Sequence, residues 1–498
     1  MPDAYDTLLE RIRDIGRLGA VEELLDWDQE TYMPEKGAEG RAESLALIAA
    51  ITHDRRTSAE IGDLLAELDA GVETDPARAT NIRETRRLYD RAVKVPTELV
   101  KEITHTSSLA KQAWQQARAE SKFELFAPLL SKLLDLKRAQ ADHIGYDDEP
   151  YDALMDEFEP GVRTVEVADI FAELRQQLAP LVRALADATH KPDFSILQRH
   201  YPRAGQEAMG RKFAELMGFD FQAGRLDVAV HPFCLSMSST DVRLTTRYDE
   251  HYMPCAIFGV MHEAGHGLYE QGLDSAHRFT PMGQAVSLGI HESQSRLWEN
   301  MVGRSRPFWE GRYGYACELF PDALTGVPLD DFYAAINTVQ PSLIRVEADE
   351  VTYNLHIVLR FEIERALLNA TLDVADLPEA WNQAMTDLVG ITPKNNAEGC
   401  LQDIHWSLGA FGYFPTYALG NLYSAQFFAA ARTALDNLDD QIRRGQLLPL
   451  RDWLGDNIHR QGMRYRAGEL CERVTGQPLS ADAFVNYVNA KFRPIYGV

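Results

Sequence analysis

The chain has 498 residues, 45% hydrophobic and 25% charged, with a formal charge of −25 from 50 Lys and Arg against 75 Asp and Glu. This length buries a large core, and the composition is that of an ordinary globular protein. So acidic a chain is a poor nucleic-acid or anionic-membrane binder, and its five cysteines, with no CxxC pair, do not make a disulfide framework.

In chain order, the start MPDAYDTLLERIRDIG carries charges where a signal peptide needs an apolar run, so the expected location is cytoplasmic. No uncharged apolar stretch is long enough to cross a bilayer. Within residues 4–25, Leu8, Leu9, Ile12, Ile15 and Leu18 return every three to four positions and predict a helix. The same period predicts helices over 123–144, 167–188 and 342–369. The last opens at Pro341, a first helical position where the missing N–H costs nothing. HKPDFS (190–195) and VTGQPLSAD (474–482) read as helix connections, and no repeat or Gly/Ser linker interrupts the chain. The expectation is one mainly α-helical unit over residues 1–498.

Residues 226–248 read differently. They are rich in β-branched residues, with Val242, Leu244, Thr246 and Tyr248 on one face and Asp241, Arg243, Thr245 and Arg247 on the other. This predicts one small sheet, whose edge offers pairing to an extended peptide.

GVMHEAGHGLYEQG (259–272) follows directly. Four helical residues make about 400°, so His262 and His266 return to one face and reach one tetrahedral zinc, with Glu263 beside it as general base. No third histidine follows at the metzincin spacing. Glu292, 26 residues after His266, is the expected third ligand, on a second helix SLGIHESQSRLWENMVG that also carries Leu288 and Glu299 near the same stripe. The two zinc helices lie within about 255–300. His291 is the rival ligand, but it points about 100° away from Glu292. A structural zinc site has no use for a base at Glu263, so the catalytic reading is preferred. Gly265 and Gly267 weaken the helix by about 1 kcal/mol each relative to Ala, so room for substrate or a neighbouring helix is expected there. Further on, DIHWSLGAFGYFPTYALGN supplies His405, Tyr413 and Tyr417 as donors to an oxyanion, the other reading of the tyrosines being a packed aromatic cluster.

Together these residues resemble one family, the carboxypeptidase Taq metallocarboxypeptidases. The motifs stand in order: HPF (His231, Pro232, Phe233), DxRxT (Asp241, Arg243, Thr245), HExxH, and HES-Q (His291, Glu292, Ser293, Gln294). Then come IRxxAD (Ile344, Arg345, Ala348, Asp349) and GxxQDxHW (Gly399, Gln402, Asp403, His405, Trp406). The early LLDWDQETYMP and the ending KFRPIY also resemble the family, and nothing within the motifs departs from it. The resemblance implies two helical lobes around a deep active-site groove, a homodimer, a zinc or cobalt ion, and release of residues from peptide C-termini. It also favours His405 and one of the tyrosines as oxyanion donors. More distantly, the zinc-helix pair resembles angiotensin-converting enzyme and the neurolysin-like oligopeptidases.

A carboxypeptidase must recognise a terminal carboxylate, for which Arg offers a bidentate fork. Arg243 and Arg345 are the candidates, with Asp241 and Asp349 expected to hold them. An ion pair between Arg345 and Asp349 is the plainer reading of that motif. Two other classes remain: an oligopeptidase or endopeptidase with the same zinc chemistry, and a zinc-stabilised helical binding protein.

Overall fold

The computed structural model describes residues 3–69, 71 and 73–498. It opens with four helices, α1 (Ala4–Thr31), α2 (Ala38–Arg56), α3 (Ala59–Asp69) and α4 (Pro76–Lys94). Asp3 caps α1 by accepting the Asp6 N–H at 2.7 Å, and Asp75 caps α4 through the N–H groups of Ala77 and Arg78. Tyr5, Leu8 and Ile12 of α1 pack with Ile61 and Leu65 of α3 and Ile82 of α4 into an apolar cluster of their own. Most other buried apolar residues join one larger core. Polar contacts tie the two together. Glu84 of α4 is wholly buried and meets Arg466 at 2.9 Å, while Arg87 and Arg91 reach Asp156 at 3.0 and 3.1 Å. A cavity of about 340 Å³ lies between α1 and the larger body, lined among others by Glu23, Arg56, Met237, Glu270 and Phe279.

The expected sheet is present. Strands β1 (Gly224–Val228), β2 (Cys234–Ser238) and β3 (Asp241–Thr246) stand in the order β1-β3-β2. β1 runs parallel to β3 with Leu226 opposite Leu244, and β2 runs antiparallel with Leu235 opposite Arg243. Val242 and Leu244 point into the core, as the alternation predicts. β2 is an outer strand whose second edge carries no backbone partner among the described residues.

The sheet leads into α5 (Met253–Gly272), and α6 (Leu288–Arg296) crosses it, continuing into a π-helical segment over Leu297–Gly303. Gly265 and Gly267 of α5 each have a packing reason. A β-carbon at Gly265 would sit 2.6 Å from Gln294 O and Ser295 Cα, and one at Gly267 would sit 2.7 Å from the Phe219 ring. The helix backbones at the metal site touch because nothing stands between them.

One predicted element is corrected. Residues 342–369 are not one helix: Pro341 lies in coil, Arg345–Glu347 makes a single 3₁₀ turn, and the helix α7 begins only at Tyr353 and ends at Leu368. Asp349 competes with helix formation by accepting hydrogen bonds from the N–H groups of Val351, Thr352 and Gln340 and from the Thr352 hydroxyl. The other predicted helices appear as 127–144 after a 3₁₀ turn, and 164–187. The last element needed here is α8 (Pro415–Ala434), which packs along α6 and α7. All five cysteines are free, and among the described residues no helix is long and apolar enough to cross a membrane.

Candidate metal centre and active site

α5 is embedded in the larger core through Ile257, Phe258, Met261, Ala264 and Leu268, which leaves His262 and His266 on the side facing α6. Their Nε2 atoms lie 3.6 and 3.4 Å from the same carboxylate oxygen, Glu292 Oε2. The three donor atoms lie within 4.8 Å of one another, and among the described residues no other His, Cys, Asp and Glu group converges in this way. Two imidazole nitrogens and one carboxylate oxygen are the donor set of a three-ligand catalytic metal site.

The outer ring nitrogens are held as well. His262 Nδ1 lies 2.9 Å from Glu299 Oε2, so it donates its proton there and leaves Nε2 as the lone-pair atom. His266 Nδ1 lies 2.6 Å from His291 Nδ1, and His291 Nε2 lies 2.8 Å from Glu270 Oε1. The protons run outward along this chain: His266 donates to His291, which donates to Glu270. His291 therefore holds the His266 ring, and both of its own nitrogens are committed away from the three converging donor atoms. Sequence reasoning placed Glu299 on the right stripe without assigning it this role, and it missed Glu270. The π-helical turn is what carries Glu299, whose Oε1 is gripped by Arg304 at 3.2 Å.

Arg296, one turn after Glu292, bonds Glu292 Oε1 at 2.7 Å and leaves Oε2 for the histidines. Burial acts to raise the Glu292 pKa, but Arg296, His262 and His266 outweigh it and hold the carboxylate well below its usual range. Burial and the nearby His291 push His266 down to about 3, so it is neutral and ready to bind a cation. Glu263 is 6% exposed, and burial pushes it up to about 7 although His262 opposes this.

A second set of residues approaches from α8. A β-carbon at Gly420 would lie 2.5 Å from Glu292 Cγ, so α8 runs directly over the carboxylate of the donor trio. Tyr417 stands one turn earlier on α8. Its ring is 5.4 Å from that of Tyr413 and 6.3 Å from His405, with Tyr413 5.3 Å from His405. Burial pushes His405 down to about 4, which leaves the imidazole neutral. The structure thus gathers His405, Tyr413 and Tyr417 into one aromatic group beside the metal trio.

The two arginines sit differently. Arg345 is buried and bonds Asp403 Oδ1 through Nε (3.0 Å) and Nη2 (2.8 Å), and the Tyr353 hydroxyl through Nη1 (3.0 Å), with its Cζ 4.9 Å over the Tyr417 ring. Asp403 holds Arg345, not Asp349 as expected. Arg243 is held by Asp241 at 2.9 and 3.0 Å, as expected, and lies 4.2 Å over the Trp27 ring of α1. Two further motifs acquire reasons. Thr245 exchanges hydrogen bonds with the backbone of Phe233 in HPF. Tyr32 of LLDWDQETYMP donates to Asp227 at 2.7 Å.

Residues 7–492 match the sequence pattern of the family described as carboxypeptidase Taq (M32) metallopeptidase. The chain belongs to that family. It is 44% identical to thermostable carboxypeptidase 1 of Thermus thermophilus over 99% of both chains, and 40% identical to carboxypeptidase 1 of Bacillus subtilis over 98% of this chain and 97% of that one. A solved M32 carboxypeptidase from Deinococcus radiodurans superimposes with a TM-score of 0.97, 40% identical, covering all of both chains. This M32 chain is accordingly a metallocarboxypeptidase acting on peptides. The family requires a divalent metal, and the His262, His266 and Glu292 donor set fits one.

Proposed function

We propose that this metallocarboxypeptidase holds one zinc ion, with cobalt as the alternative, on His262, His266 and Glu292, and releases single residues from peptide C-termini with broad side-chain tolerance. The observation that carries the reading is the convergence of both Nε2 atoms on Glu292 Oε2, with both outer nitrogens already committed. Zinc in such a set supplies Lewis acidity towards the scissile carbonyl and lowers the pKa of a water.

The chain's own groups do the rest. Glu263 takes a proton from the attacking water and passes it to the leaving amine, a task suited to a carboxyl raised towards neutrality by burial. His405 and Tyr413 or Tyr417 donate to the oxyanion as it forms. Arg243 commits Nε and Nη2 to Asp241, which leaves Nη1 for a terminal carboxylate, and Arg345 contributes from beneath Tyr417. The open edge of β2 offers backbone pairing to the upstream peptide. The reading includes cytoplasmic operation of residues 1–498 as one unit in a homodimer.

Two measurements test it. A peptide with its C-terminus blocked as an amide should lose roughly tenfold to several hundredfold in kcat/KM against the free acid. Equal cleavage of both at the same bond would give the site to an oligopeptidase instead. Glu263→Gln should keep its metal and lose turnover, whereas an active variant would remove the general base from this account.

A further inference from the structure

α7 meets the catalytic loop through a buried polar face. Tyr353, Arg360 and Glu364 are seven and then four residues apart, so they share one side of the helix. Arg360 is wholly buried and grips Asp403 Oδ2 through Nε at 2.7 Å and Nη2 at 2.5 Å. Glu364, one turn further on and also wholly buried, accepts three hydrogen bonds. They come from the Tyr151 hydroxyl (2.6 Å), Trp406 Nε1–H (2.8 Å) and the Gly412 N–H (3.1 Å). Two of those donors bracket the loop that matters. Trp406 directly follows His405, and Gly412 directly precedes Tyr413.

We infer that Glu364 is a positioning residue for catalysis, whose carboxylate pins both ends of the loop from His405 to Tyr413 and so fixes where those two side chains meet the substrate. The inference rests on the reading of His405 and a tyrosine of this loop as oxyanion donors, and takes Tyr413 as that tyrosine. Three donors converge on Glu364, and only an acceptor-only group satisfies all of them. A glutamine there must turn its NH₂ towards a donor, while an apolar residue leaves buried donors without partners. Gly412 has little freedom to adjust. Its φ is +87°, and a β-carbon there would meet Met155 N at 2.7 Å. Burial pushes Glu364 up to about 7 although its three donors oppose this, so the assays belong at about pH 8, where the carboxylate is charged.

The test uses the metal-loaded enzyme and the variants Glu364→Gln and Trp406→Phe, which remove one acceptor oxygen and one donor respectively. Glu364→Gln should lose roughly ten- to a hundredfold in kcat on a short acylated dipeptide, with KM changed less than about threefold and metal content intact. A phosphinic peptide analogue of the tetrahedral intermediate should lose affinity in proportion to kcat, while a product amino acid should not. Trp406→Phe should lose less, with the same split. Native kcat in a folded Glu364→Gln enzyme overturns the inference, and so does a loss shared equally by kcat, KM and metal content. If Glu364→Gln does not fold, the Trp406→Phe split decides. Native kcat in His405→Gln and Tyr413→Phe removes the underlying reading. Impaired kcat in those two beside a native Glu364→Gln removes only the inference.

Discussion

Gly420 of α8 lies so close to Glu292 of α6 that a β-carbon there would sit 2.5 Å from Glu292 Cγ and 2.7 Å from its Cβ. Real side chains essentially never approach so closely, so Ala at 420 must displace the third metal ligand or α8 itself. Gly420→Ala is expected to weaken metal binding about ten- to a hundredfold and to lower activity in step, measured by competition with a chelator. Native affinity would mean that α8 yields without moving Glu292.

The outer contacts of the histidines should matter nearly as much as the ligands. Glu299→Gln keeps the side chain's size but loses the charge that holds the His262 proton, and Glu270→Gln does the same at the end of the His291 relay. Each should cost about ten- to a hundredfold in metal affinity. Calorimetric titration of metal-free protein checks this. An unchanged affinity in both variants would mean that packing alone orients the rings.

The two arginines should separate by stability. Arg345 is buried between Asp403 and Tyr353, and Arg345→Met leaves the largely enclosed Asp403 carboxylate with one partner fewer, costing about 3–5 kcal/mol in unfolding free energy. Arg243 is held by Asp241 and stacked on Trp27 at a partly open site, and Arg243→Ala should cost about 1–2 kcal/mol. Its kcat/KM should nevertheless fall roughly tenfold or more on free-acid peptides, with no further loss on amides. Denaturant melts and paired kinetics on the two substrates give both numbers.

Glu159 gives a pH test away from the metal ligands. It is wholly buried, accepts the Gly289 N–H at the start of α6, and is pushed by burial up to about 8. Its folded pKa thus exceeds the unfolded value of about 4.3, and the folded state binds the extra proton between them. The stability present below the lower value is lost as pH rises through the upper one. Glu159→Gln cannot ionise, so its stability relative to the native chain should improve steadily from about pH 5 to about pH 9. Urea midpoints showing a constant offset across that range would refute the assignment.

What the sequence made legible was local. HExxH puts two histidines on one face by helical geometry alone, and Glu292 sits on a helix whose period was readable; the alternation around Val242 and Leu244 also survived folding. What escaped depends on partners distant in sequence. The apolar period over residues 342–369 as a whole reads as helix, yet Arg345 is drawn to Asp403, 58 residues later, and Asp349 spends its oxygens on nearby N–H groups. No motif in the sequence singles out Glu364. Its role appears only when Tyr151, Trp406 and Gly412 arrive from three other places in the chain.

The separate apolar cluster of α1, α3 and α4 has a consequence for motion. A unit with its own small core and polar ties to its neighbour opens at lower free energy than the body it leans on. Backbone amides of these helices should therefore exchange with solvent deuterium faster than those of α5 and α6. Because α1 walls the cavity that reaches Glu270, such an opening also widens that cavity. The softest part of the molecule then borders Glu270, the outer end of the His291 relay, while α5 and α6 stay in the stiffest.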